Sequence, residues 1–393
     1  MPTERSPWST FAVVGAGAYL AGLGTSSVPI LLPLVRSELG VAIDRVAWIV
    51  TAYMLTLTVL LLPAGRIGDR HGHRASYVVG FLIVAAGSVA SSLAPSFPLL
   101  VAARIAQATG AAALTANGPA LLMTSFPSAR RGRVLGLQGA LVYAGLTTGP
   151  AIAGLVARHA GWRGAIAIVA PIALLSALLA MRSLPLEPAA ARAPSSVASP
   201  ALLRSPAFAL GLGAAVLQYV VVATVTLVVP FELVAVSGLD VQASGWVLSV
   251  QPAVMMATAV WSGALADRIG TRAPATVGMG LLAVGVWRLY AIGAGDASAL
   301  DFVWPLALVG LGAGLFTPAN NSSVIGAAPA ERQGIAGGMM GTARNVGMAI
   351  GVAATGTVLH APRLALAGGA IVAVAGALLS LVRPAPPREL PAC

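Results

Sequence analysis

Arg104 and Glu232 place a full charge within otherwise apolar runs, in L-L-V-A-A-R-I-A-Q-A-T-G and V-V-P-F-E-L-V. A guanidinium stays protonated across physiological pH, so Arg104 can attract or orient charge but cannot hand over a proton. A carboxyl can, provided that poor hydration lifts its pKa. No His and no other carboxylate falls within a predicted span, which leaves Glu232 as the group there able to change charge near neutral pH. Each residue keeps a second reading: Arg104 as a side chain snorkelling to headgroups, Glu232 as a solvated acid at the end of its helix.

A second constellation occurs twice. Gly65 to Arg74 reads G-R-I-G-D-R-H-G-H-R, and Gly263 to Arg272 reads G-A-L-A-D-R-I-G-T-R. Gly65, Asp69, Arg70, Gly72 and Arg74 recur as Gly263, Asp267, Arg268, Gly270 and Arg272, each 198 residues on. Glycine permits a tight turn between helices, and an Asp carboxylate can cap a helix N-terminus or pair with Arg. Further polar groups inside apolar stretches are Ser26, Gln107, Asn117, Gln138, Tyr143, Gln218, Tyr219, Gln251, Asn320, Asn321, Arg344 and Asn345. They are candidates to line a substrate cavity, although some will instead make interhelical hydrogen bonds, worth only ~0.6 kcal/mol on average.

Other chemistry is excluded or unsupported. The basic residues are all Arg, which removes the Lys that a phosphate-binding ATPase loop requires. The one Cys, Cys393, supports no internal disulfide, and His71 and His73, two apart in a polar turn, make no metal site. No cofactor is expected. No basic run is interleaved with aromatics, so the net charge of +11 does not point to nucleic acid.

The elements that position these residues follow from composition. Of the 393 residues, 58% are hydrophobic and 9% charged, where soluble domains carry about 25% charged. The surplus apolar surface must face lipid. A helix crossing a bilayer needs about 20 apolar residues, and twelve such stretches fall near 11–35, 46–65, 75–94, 98–124, 134–156, 164–181, 206–235, 243–266, 273–293, 302–326, 334–359 and 364–382. The expected organisation is a six-helix bundle over 1–181, a Pro-, Ala- and Ser-rich linker over 182–205, and a second bundle over 206–393. Most loop arginines, among them Arg66, Arg70, Arg74, Arg130, Arg131, Arg133, Arg268 and Arg272, fall on the side of the termini, which places both termini in the cytoplasm. A second repeated set pairs Gly110, Pro127, Arg130, Gly132, Gly136, Gly145 and Gly149 with residues 202 further on, so the six spans are duplicated.

The two Gly-x-x-x-Asp-Arg-x-Gly-x-Arg loops resemble the signature loop of the major facilitator superfamily, and the likeness runs along nearly the whole chain. Gly145 to Gly154, G-L-T-T-G-P-A-I-A-G with Gly149 and Pro150, resembles the antiporter signature of that family's drug:proton branch. R-I-A-Q-A-T-G from Arg104 resembles its Arg-x-x-Gln-Gly-x-Gly element, with Ala108 replacing a glycine. R-N-V-G-M-A-I-G from Arg344 resembles the same branch. The span-1 pattern Leu-Asp-x-Thr-x-Val-Asn departs, with Gly24 for the acid, Ser26 for the Thr and Pro29 for the Asn.

The resemblance implies an all-α, twelve-helix membrane fold of two pseudo-symmetric halves that exports small amphipathic organic molecules by alternating access. It also implies loops that latch the halves on the cytoplasmic side, and a role for Arg104 in proton coupling. The expected partners are a small-molecule substrate, protons and the lipid bilayer of a bacterial-type cytoplasmic membrane, with the chain a monomer. With Gly24 in place of the acid, a metabolite exporter or a facilitator without proton coupling stays open, and a membrane enzyme or sensor is a more distant class.

Overall fold

The computed structural model describes residues 6–184, 200–292, 297–329 and 333–384, which leaves most of the expected linker and both chain ends outside the described residues. The described chain is helical and contains no strand. Its elements are α1 (Pro7–Ser26), α2 (Leu32–Leu39), α3 (Ile43–Val46), α4 (Trp48–His71), α5 (His73–Ser92), α6 (Phe97–Ser125), α7 (Ser128–Ala167) and α8 (Val169–Ser183). These are followed by α9 (Pro200–Leu203), α10 (Pro206–Ser237), α11 (Val241–Ile269), α12 (Arg272–Ala291), α13 (Ala299–Gly326), α14 (Gln333–Thr357) and α15 (Pro362–Val382).

Local chemistry sets several of the ends. Ser6 accepts the Trp8 amide ahead of Pro7 at the start of α1, and Ser298 with Asp301 forms a reciprocal capping box at the start of α13. The first expected span is not one continuous α-helix. Pro29 has no backbone donor, and α1 gives way at Ser26 to a 3-10 turn, Pro29–Leu31, before α2 resumes. The boundary between the fifth and sixth spans is Gly161, whose φ of 64° and ψ of −179° interrupt α7. Among the described residues nine helical segments are long and apolar enough to cross a membrane, one of them the 50-residue stretch that Gly161 divides. With that division and with α12 and α14, the twelve-helix reading holds. Val260, Trp261 and Ile371 are 76%, 78% and 71% exposed, an apolar exterior suited to lipid and not to water.

The chain divides into two compact units: Met1–Ser195 with Val229–Pro252, and Ser196–Val228 with Ala253–Cys393. Within each, helices approach through glycine. In the first, a Cβ on Gly22 would overlap the Val142 carbonyl and one on Gly145 the Tyr19 carbonyl, so α1 and α7 meet backbone to backbone. The Tyr19 hydroxyl bonds Thr148 Oγ1 at 2.8 Å across the same seam. In the second, Gly347 and Gly351 of α14 meet Val216 O and Val220 O of α10 at 2.5 and 2.6 Å from the Cβ position. The spacing of 202 residues between Gly145 and Gly347, and between Gly149 and Gly351, is thus a repeated packing seam. A third pair behaves likewise: Gly80 faces Gly110 between α5 and α6, and Gly278 faces Gly312 between α12 and α13. Close backbone approach of this kind is how helices gain packing energy where lipid removes the hydrophobic drive.

Replacing Gly145 with Leu is expected to lower stability by ~1–3 kcal/mol, the range for overpacking a tight contact. Gly139→Ala on the same helix, where the new Cβ meets nothing within 4 Å, should be near neutral. Thermal unfolding of the two purified variants checks the difference, and equal midpoints would contradict the seam.

Candidate functional site

Arg104 lies on α6 and is 1% exposed. It does not snorkel to a surface. Its Nη1 donates to Gln107 Oε1 at 2.5 Å, one turn along the helix, and Gln107 Nε2 donates to Ser88 Oγ of α5 at 2.6 Å. The guanidinium sits 4.2 Å from the centre of the Tyr53 ring of α4, and Nη2 is 3.5 Å from the Gly24 carbonyl of α1. Helices α1, α4, α5 and α6 therefore converge on one cation. Among the described residues no carboxylate lies within ion-pair distance of Arg104; Asp69 faces His73 and Glu38 faces Arg163. Its Nε also finds no acceptor. Beside it is a cavity about large enough for one water molecule, walled by Gly24, Tyr53, Gln107, Leu20, Val84 and Val169.

The first duplicated loop forms a second cluster. Gly72 takes φ 94° and Gly270 φ 87°, left-handed values that glycine alone adopts readily, so both loops turn as their spacing predicts. Asp69 does not cap α5, whose N-cap is Gly72 with no side-chain bond; it lies in the last turn of α4, 3.4 Å from His73 Nε2. Asn117 Nδ2 donates to Ala64 O at 3.2 Å and Ala113 O at 2.8 Å, which fixes the amide's orientation and turns Oδ1 toward His73 Nδ1 at 2.8 Å. A Cβ on Gly68 would overlap Asn117 Oδ1, so this position must be bare.

The last arginine of each loop has the same job in both units. Arg74 Nη2 donates to Met181 O at 2.5 Å, in the last turn of α8, and Arg272 Nη2 donates to Leu381 O, in the last turn of α15. A cation at a helix C-terminus satisfies an orphan carbonyl and opposes the helix dipole. Arg70 and Arg268 are exposed, and the side chain of Asp267 lies outside the described residues.

The remaining candidates divide by environment. Ser26 Oγ donates to Gly22 O at 3.2 Å and to Gly145 O at 3.3 Å, bridging α1 and α7 under Gly149. Gly154 lies against Val241 and Gln242, and Gly245 against Pro150, all within the first unit. Asn320 Nδ2 donates to Gly211 O at 3.0 Å and accepts from Arg383 Nη1 at 2.5 Å. Burial, and after it the Arg272 cation, hold the Arg383 guanidinium below the usual arginine range. Gln218 is fully buried with neither amide atom paired. Gln251 and Asn345 are buried, whereas Gln138, Tyr143, Tyr219, Asn321 and Arg344 are half-buried. Glu232 is half-buried on α10, two residues beyond Pro230. Ser26, Gln107, Asn117 and Asn320 are thus interhelical bonds, the alternative that their residue types allowed.

Tyr53, Ser88, His73 and Arg383 were not legible as site residues. His73 carried one signal, its position four residues after Asp69. Among the described residues no group of His, Cys, Asp and Glu could hold a metal ion.

The sequence profile of the Major Facilitator Superfamily matches residues 14–352. The chain is 26% identical to a riboflavin transporter, RibZ, of Clostridioides difficile, over 89% of this chain and 87% of the relative. It is 29% identical to the tetracenomycin C resistance and export protein of Streptomyces glaucescens, over 90% and 76%. It is 28% identical to the multidrug resistance protein Stp of Mycobacterium tuberculosis, over 91% and 77%.

Asn117→Leu is expected to leave the His73 donor and the Ala64 carbonyl without their partner, at ~1–3 kcal/mol for each buried group. A fall in the thermal midpoint of the purified variant checks this. An unchanged midpoint would mean that the amide holds nothing together.

Proposed function

Because the chain belongs to the Major Facilitator Superfamily and is a membrane transporter, we propose that it exports small organic, amphipathic or drug-like molecules as a secondary active carrier. The observation that carries this reading is its likeness, over nine-tenths of its length, to proteins named for export and resistance. The α1–α7 seam supports it through Gly145 and Gly149, while Pro150 and Gly154 of the same antiporter-type pattern pack against Gly245 and Val241 of α11.

In this account the halves 1–181 and 206–393, joined by 182–205, rock about a site near the bilayer midplane. The loops around Asp69 and Asp267 latch the cytoplasmic side, where the positive-inside bias places both termini, and the protein works as a monomer in a bacterial cytoplasmic membrane. Glu232 is the proton carrier, because Arg104 cannot titrate near neutral pH. A facilitator without proton coupling is the second reading, and the observation that favours it is Gly24 where the branch pattern has an acid.

Inverted, sealed vesicles containing the protein test both. Riboflavin and tetracenomycin C, the compounds in two relatives' names, are the first probes. The expected result is uptake on energisation that a protonophore collapses, with Glu232→Gln losing gradient-driven uptake at least about tenfold while keeping downhill exchange. Protonophore-insensitive uptake would favour the facilitator. Chemical conversion without flux would overturn the transporter reading of the site.

A further inference from the structure

The two units differ at the end away from the duplicated loops. Each carries an arginine there with the same backbone contact: Arg163 Nη2 donates to Ala94 O at 3.2 Å, and Arg363 Nη2 donates to Ile292 O at 3.4 Å. The arginines are 200 residues apart and the carbonyls 198, so the contact belongs to the repeat. In the first unit Glu38 neutralises the arginine and also accepts from the Trp162 indole at 2.7 Å. In the second, no carboxylate among the described residues lies within ion-pair distance of Arg363.

A further cation stands one helical turn before Ile292. Arg288, in the last turn of α12, is exposed, and its guanidinium lies 4.8 Å from the centre of the Trp304 ring of α13. Trp287 and Tyr290, on the same turn of α12, have ring centres 5.0 Å apart. At offsets of 198 and 202 the first unit has Val89, Ala90, Ser92 and Ala102 in place of Trp287, Arg288, Tyr290 and Trp304, none of them charged or aromatic. The repeated scaffold therefore does not require this cluster. Asp301, the acid at the start of α13, is committed to the Ser298 capping box, and Asp296 lies outside the described residues. Ala361 offers α15 no side-chain cap, so the positive end of that helix adds to the field of the two arginines.

The surface that runs from this cluster toward the other leaflet is apolar. Val277 and Val284 on α12, and Leu364, Ile371 and Leu378 on α15, are exposed and repeat two turns apart along their helices. The two helices touch, with Gly369 against Val286 and Gly376 against Met279. Guanidinium groups bind phosphate oxygens well, and Trp and Tyr favour the depth of lipid headgroups.

We propose that α12 and α15 carry a binding site for an anionic phospholipid, with its phosphate held by Arg288 and Arg363 and its chains along the two apolar helix faces. The site lies in the leaflet opposite the duplicated loops. It goes beyond the export reading and does not depend on it, since it requires the membrane fold and not the cargo.

The test is thermal unfolding of the full-length protein in detergent at constant ionic strength, titrated with dioleoyl phosphatidylglycerol or with dioleoyl phosphatidylcholine. A ligand bound only by the folded state stabilises it by mass action, so the wild type should show a saturable rise in midpoint, at least about tenfold tighter for phosphatidylglycerol. Arg288→Gln, which removes the charge from an exposed side chain, should lose that preference. Arg36→Gln, which removes an exposed charge at the same end of the first unit, should keep it. If Arg288→Gln does not fold, Arg363→Gln is read in its place. No preference in the wild type would overturn the proposal. An equal loss in Arg36→Gln would also overturn it, because it would mark diffuse attraction to a basic protein. So would inorganic phosphate that raises the midpoint as far as the lipid does, which would make this a site for a free anion.

Discussion

The burial of one guanidinium among apolar helices constrains the rest of this structure. Lipid offers no water to a stranded polar group, so each donor must be met from within the protein or by what the protein binds. Arg104 is met by a ring face on α4, a carbonyl on α1, and an amide on its own helix that is tied in turn to a hydroxyl on α5. Four helices are thereby held to one point. Their approach depends on bare backbone: Gly87 lets α5 reach Gln107, and Gly22 and Gly145 let α1 lie against α7. Remove the small residues, and the polar groups no longer reach one another.

The two units apply one set of contacts to different ends. Glycine pairs at equivalent positions close α5 on α6 and α12 on α13, and an arginine from each duplicated loop caps the last turn of the sixth long helix in its unit. A buried asparagine joins three elements in both, through His73 and Ala64 in the first and through Arg383 and Gly211 in the second. What differs is the filling at Arg104, whose counterpart is Leu306. Shared contacts explain the duplicated fold, and the unshared ones are where the two halves can differ in chemistry.

Much of the fold was legible because the bilayer imposes a length and an apolar composition on each span, and because duplication leaves glycines at constant offsets. The interruption of span 1 at Pro29 was less legible, since a hydropathy window sees an unbroken apolar run while the missing donor acts on the backbone alone. The loop aspartate illustrates a second limit. Its spacing suggested a cap or an arginine partner, whereas Asp69 faces His73, a residue that stands in the loop by sequence but is packed against Asn117 of α6. Tyr53 and Arg383 were hidden for the same reason: an aromatic in a span and an arginine after one have unremarkable local neighbours, and their partners lie far along the chain. The loss of the acid at Gly24 was visible at once, but the space it leaves beside a cation is a three-dimensional fact.

The central claim is that Arg104 is a buried cation held to α1, α4 and α5 through Gly24, Tyr53 and the Gln107–Ser88 bond, and not a side chain that reaches the headgroups. Thermal unfolding of purified Gln107→Leu tests it most directly, because that change strands the Arg104 Nη1 donor and the Ser88 hydroxyl together. The account predicts a lower midpoint than the wild type, at ~1–3 kcal/mol for a buried polar group left without its partner. An unchanged midpoint would contradict it.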